Sequence, residues 1–227
     1  STTAQQYLRH SNKLTVVRIL DGTFNGASAL VPKGTGNQNT GSAAQYTPVP
    51  TVDGSSFQLN TIADGAIMNS SYDHVVDEAP QTGSNNILLS GSSDNIRYEI
   101  TSVNPSKGTF TLLLRRGDDT VKRKQILETW NNLSLDPNSN NYIAKMIGDS
   151  YASIQNRGSS DPYIQYVGNY PNKSKYVYVS QVKDTVDYID ENGNIRVNAA
   201  SASLPGEGSG SFHGAFTGGS NGFAGFD

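Results

Sequence analysis

The chain has 227 residues, of which 35% are apolar and 16% charged, with 23 glycines, no cysteine and a net charge of −3. This excludes disulfides, thiolate metal sites and a cysteine nucleophile, and gives no general attraction to nucleic acid or anionic lipid. No apolar run approaches the ~20 residues that cross a bilayer as a helix, and the polar, turn-rich composition suits many short strands better than packed helices.

In chain order, residues 3–10 carry Ala4, Tyr7 and Leu8 at helical spacing, closed by Ser11 and Asn12. LTVVRIL, residues 14–20, is β-branched and, apart from Arg18, apolar on both faces, and predicts a buried strand. Because an element starts at the first residues, the chain is expected to be a piece of a longer protein. Residues 21–56 are rich in Gly, Thr, Asn, Ser and Pro and predict a long excursion or mobile surface loop. Hydrophobic pattern returns over 57–69, punctuated by Gly65 and Asn69. Residues 96–103 and 109–116, joined by the turn NPSKG, predict a hairpin. VKRKQILETW, 121–130, reads as a further strand. Residues 138–147 place Tyr142, Ile143, Met146 and Ile147 at helical spacing, with Asn138 or Ser139 as the cap and Gly148 as the stop. A short strand is expected at 151–154. Residues 157–211 read as strand pairs, YIQYVGNYPNKSKYVYVSQV and then VDYIDENGNIRV, before a glycine-rich end.

Candidate chemistry is sparse. TGGSNG, 217–222, formally contains the G-x-S-x-G nucleophile elbow at Ser220, but no histidine follows it, so a flexible glycine turn is the better reading. Asp187, Asp190, Glu191, Asn192 and Asn194 offer oxygens to a hard cation. They lack the spacing of a calcium loop, and Asn192-Gly193 favours a hairpin turn. His10, His74 and His213 stand far apart, without metal-ligand spacing. GTGNQNTG, 34–41, lacks the Lys-Ser/Thr ending of a phosphate loop and reads as a linker. Arg115, Arg116, Lys122, Arg123 and Lys124 form a basic cluster with Asp118 and Asp119 in the intervening turn. It reads as a solvated hairpin edge, with protein docking as the sharper alternative. No catalytic, cofactor or metal residue is assigned, and the profile is that of an interaction or structural protein.

ILETWNNLSLDPNSNNYIAKMIGDSY, residues 126–151, resembles a segment of the contractile-tail sheath proteins of bacteriophages. There a strand with an acidic-aromatic pair meets an N-L-S-x-D step, and a short helix leads to the next strand. Leu133 and Leu135 would anchor the turn, Asp136-Pro137 would stop the strand, and Tyr142, Ile143 and Ile147 would dock the helix. TAQQYLRHSNKLTVVRIL, LNTIADGAIMNS, the 98–130 hairpin region and FTGGSNG follow the family's order. The resemblance implies an α+β fold: a mixed β-sheet with a few short packing helices, β-rich, with long loops. It implies one fragment of a sheath subunit, with a middle domain over 1–20 and 57–227. Residues 21–56 would be a Gly/Ser/Pro-rich excursion and 157–211 a β-rich outer elaboration. It further implies a non-enzymatic virion protein. The full-length protein would polymerise in hexameric rings around a tail tube and contract for genome delivery, with sheath and tube subunits as partners and no nucleic acid or membrane. The fragment alone is expected to be monomeric. The alternative is a surface- or carbohydrate-binding module of a fibre or adhesin, with Tyr163, Tyr166, Tyr170, Tyr176, Tyr178 and Tyr188 stacking on sugars.

Overall fold

The computed structural model describes residues 2–11, 13, 22, 24–34, 55–70, 87–156, 161–183, 204–207 and 214–222. Its elements are α1 (Thr2–Leu8), β1 (Phe24–Pro32), β2 (Ser55–Asp64), a 3-10 turn (Ala66–Met68), β3 (Ile96–Asn104), β4 (Thr109–Arg116), β5 (Ile126–Ser134), α2 (Ile143–Ile147), β6 (Tyr151–Asn156), β7 (Pro162–Val167), β8 (Val177–Ser180) and β9 (Ser220–Asn221). The fold is α+β and β-rich, with two short α-helices among the described residues. β8-β2-β1-β9 form one sheet, β3-β4-β5 a second, and β6-β7 a separate ribbon. The ladders between these strands are antiparallel. A parallel contact appears as an isolated bridge between Ser134 and Tyr142.

The two larger sheets share one core. Strand alternation turns Ala27, Ala29 and Val31 of β1, Phe57 and Leu59 of β2, and Val177 and Val179 of β8 inward. Ile96, Tyr98 and Ile100 of β3, with Phe110, Leu112 and Leu114 of β4, join the same cluster. Phe57 stacks on Phe110 at 5.6 Å between centroids, tying β2 to β4. Phe216 seals one side and meets Tyr98 edge-on at 6.0 Å.

The 126–151 segment builds the junction its residues predict. A bulge in β5 pairs Phe110 with Leu133 but Leu112 with Trp130, and Asn132 takes a positive φ of 55°. Asparagine tolerates that conformation, and the extra residue returns Leu133 to the core face. Leu133, Leu135, Ile143 and Ile147 are all buried. Gly148 ends α2 with φ 112°, and a Cβ there would lie 2.4 Å from the Asn172 backbone, so glycine is required twice over.

Four expectations need correction. Residues 24–32, expected inside a loop, are the β1 strand that pairs with both β2 and β9. Its inward side chains are small, so FNGASALVP lacks the bulky alternation that announces a strand. The third strand of the hairpin sheet begins at Ile126, because residues 117–125 form a folded-back turn. Asn138 and Ser139 do not cap α2, whose N-cap is Tyr142 without a side-chain bond. The polar atoms there act upstream: Asp136 Oδ1 accepts the Asn138 N–H and Ser139 Oγ accepts the Asn141 N–H. Finally, YIQYV and YVYV do not pair with each other: β7 pairs with β6, and β8 with β2. The helix expected at 3–10 is α1, the 96–116 hairpin is β3–β4, and the strand expected from 151 is β6. Residues 14–20 and 186–197 lie outside the described residues.

Candidate interaction surface

β6 and β7 leave the body as a ribbon whose base is clamped. Asp149 Oδ1 accepts the backbone N–H groups of Asn169 (2.8 Å) and Tyr170 (2.7 Å). Ser150 Oγ donates to the Tyr170 carbonyl at 2.8 Å, and the Ser150 backbone exchanges hydrogen bonds with the Asn172 amide. Tyr151 stacks on Tyr178 of β8 at 5.6 Å. Beyond that base the ribbon stands in solvent. Register places Ile154 opposite Ile164 and Ala152 opposite Tyr166, so these four share one face. Between this face and the outer face of β1 and β2 runs a groove of about 1140 Å³. Phe24, Ile62, Tyr151, Ile154, Tyr166 and Tyr178 are among its walls, and among the described residues Asp64 is the one charged group lining it. Tyr178's phenol is raised above its usual range, first by burial and then by the neighbouring Tyr151 and Asp64.

A second constellation is internal. Arg97 and Arg115 stand opposite each other in the β3–β4 ladder, on the face away from the apolar core. Residues 117–125 fold over that face and bury it. Arg115 grips Asp119 with Nε and Nη2, both at 2.7 Å, and donates to Glu99 Oε2 at 2.9 Å. Lys124 Nζ closes on Glu99 Oε1 at 2.7 Å, and the Gln125 N–H donates to Asp119. Arg97 reaches Asp119 only at 3.7 Å. Its pKa falls to about 10, first because burial strips its hydration and next because Arg115 repels it, with Asp119 and Glu99 opposing.

The basic residues are therefore not one solvated edge. Arg115 is buried, Arg116 pairs with Asp118, Lys124 serves Glu99, and Lys122 and Arg123 are exposed. Ser220, expected in a flexible glycine turn, instead lies buried in β9, where its Oγ accepts the Asn25 N–H at 3.2 Å. Its neighbours form a strap: Asn69 and Gly219 exchange two hydrogen bonds, and Asn221 Oδ1 accepts the Ala66 N–H. His10 is exposed after α1. His74, His213, residues 35–41 and the 187–194 oxygens lie outside the described residues, and no metal-binding cluster occurs among the described ones. The tyrosines scatter. Tyr170 packs edge-on against Tyr142 and Tyr176 against the core. Tyr163 is exposed, Tyr188 is outside the described residues, and Tyr166 and Tyr178 reach the groove. Sequence reasoning missed the ribbon face as a surface. Its signal was two uncharged segments, YASIQN and PYIQYV, separated in sequence by the polar stretch RGSSD.

Comparison of the chain with protein-family models, with curated proteins and with solved structures finds no match.

Proposed function

We propose that this chain belongs to a structural subunit of a contractile-tail sheath, whose work is done by contacts between copies around a tail tube. The observation that carries the reading is the 126–151 junction, where the residues on which the resemblance rests have specific physical tasks. Glu128 accepts hydrogen bonds from Trp130 Nε1 (3.0 Å), Ser174 Oγ (2.7 Å) and the Lys175 N–H (2.9 Å). The acidic-aromatic pair thereby locks β5 to the segment entering β8. The N-L-S step holds the bulge, and Leu133 and Leu135 plug the core beneath it. A body braced this way suits a subunit that moves as a unit while its contacts exchange.

The full-length protein that contains this chain tests the reading. Purified and incubated at moderate salt, it is expected to form tubes of uniform diameter in negative-stain electron micrographs. Dispersed single particles under all assembly conditions would refute it. A carbohydrate-binding module is the second reading, favoured by the tyrosines at the groove, Tyr151, Tyr166 and Tyr178. Saturable binding on a glycan array that is lost in Tyr166→Ala would support that reading instead.

A further inference from the structure

Resting on that reading, we infer that the face of the β6–β7 ribbon carrying Ile154, Ile164 and Tyr166, with the groove beside it, forms a docking surface for a second copy of this chain. Three observations converge on it. The first is area. Phe24, Ile62, Tyr151, Ile154, Ile164 and Tyr166 are between 42% and 78% exposed. With ~200 Å² for a large side chain in the open, their exposed fractions add up to roughly 700 Å², spread over the ribbon face and the groove walls. The largest patch on a typical monomer is about 300–600 Å². The share one partner brings to a standard protein interface is about 800 Å². The patch thus matches half of a protein–protein contact and exceeds what a small ligand would cover.

The second is the edge. β6 is a six-residue strand without a bulge and without a charged side chain, and its far side has no strand partner among the described residues. Soluble proteins guard such edges with lysine, proline or a bulge, because open N–H and C=O groups recruit another chain. Here β7 opens with Pro162, while β6 has none of these guards.

The third is charge. The chain carries a net charge of −3, so two copies repel wherever their acidic surfaces meet. Among the described residues Asp64 is the one charge lining the groove, so like copies meeting there face little opposition. The clamped base completes the design, since a pre-ordered ribbon loses little freedom on docking.

The chain has no cysteine, so Ile154→Cys gives it a single thiol, followed on its own peptide, and Lys107→Cys on the exposed hairpin turn gives a reference. Maleimide labelling of each is followed by mass spectrometry in dilute chain, in concentrated chain and in any tubes of the full-length protein. The expected result is equal labelling when dilute and at least tenfold slower labelling at position 154 once copies associate. Unchanged labelling in tubes would overturn the inference while leaving the sheath reading intact. Protection already complete on dilution would mean the chain covers its own patch, and would also overturn it. If no tubes form, the sheath reading fails, and concentration-dependent protection of the dispersed chain still decides the patch. As a second variant, I154R/Y166R is expected to abolish association with an unchanged melting temperature. Association at wild-type strength would count against the inference.

Discussion

Arg97 and Arg115 share one cross-strand pair and one buried environment, yet their removal should have opposite consequences. Arg115→Met keeps most of the volume but takes away the bidentate partner of Asp119 and one partner of Glu99. Asp119 is then left with Arg97 at 3.7 Å and a backbone N–H, and Glu99 with Lys124. Stripping one member from a buried ion pair costs about 3–5 kcal/mol, because the other charge stays desolvated. Arg97→Met removes a cation that sits badly. A pKa drawn down from 12.5 to about 10 corresponds to roughly 3 kcal/mol of unfavourable environment for the charged form. Its loss leaves Arg115, Asp119 and Glu99 mutually paired. The expected stability of Arg97→Met is within about 1 kcal/mol of wild type, or above it. Urea titration at pH 7, followed through the single tryptophan, Trp130, measures both variants. Equal slopes would show that the unfolded states are comparable. If Arg97→Met loses as much as Arg115→Met, the assignment of Arg115 as the hub of the cluster is wrong.

Tyr98 is buried, and burial raises its phenol above the ordinary 10.0 against a weaker opposing backbone hydrogen bond at Gly214. Its folded value exceeds its unfolded one, so the stability tied to the protonated phenol is fully present below about pH 10 and drains away as pH rises. Tyr98→Phe should flatten the loss of stability between pH 10 and 11.5. Comparison with wild type isolates Tyr98 from Arg97, whose lowered value acts in the opposite sense there. A Cβ on Gly117 would lie 1.8 Å from Asn95 Oδ1. Asn95 Nδ2 lies within hydrogen-bond distance of the carbonyls of Ile67, Asn69 and Ser90. Gly117→Ala should therefore disrupt a buried clamp and lower stability by about 2 kcal/mol or more, read as a drop in melting temperature. Glu128→Ala strips three donors of their acceptor and is expected to cost about 1.5–3 kcal/mol. Hydrogen exchange at Lys175 should rise in the same variant.

The sequence announced what local chemistry decides. The β3–β4 hairpin was legible because alternation on both sides of NPSKG agreed with the turn. The α2 stop was legible because Gly148 is the residue that tolerates its position. What remained hidden depends on partners distant in the chain. β1 is a strand because β2 and the 217–221 strap bind both its edges, and its small side chains carry no such message. Pairing of 162–167 with 151–156, in place of 177–180, is settled by the clamp of Asp149 and Ser150 on 169–172, which folds the intervening chain back. The basic cluster was misread because alternation shows which residues share a face, but not that a later turn will cover it. The exposed ribbon face was written only as an absence of charge in two short segments, and that becomes informative once they are seen to stand alone.

The buried ions and the bare ribbon answer the same physical problem from opposite sides. A one-residue slip of β3 against β4 would turn Ile96, Tyr98 and Ile100 outward and drive Arg97 and Glu99 into the apolar core. The cluster under the 117–125 turn therefore fixes the register of the hairpin against which Phe57 stacks, at the cost of keeping Arg97 poorly solvated. Register fixed in this way keeps the two large sheets in one arrangement, and the Glu128 contacts carry that order through the segment entering β8 to Tyr178 and the base of the ribbon. An uncharged, exposed edge on a pliable body would recruit chains in many registers. On a body whose register is fixed by buried charge, the same edge is presented in one geometry, which is what the proposed docking of a second copy requires if the ribbon is not to reorganise.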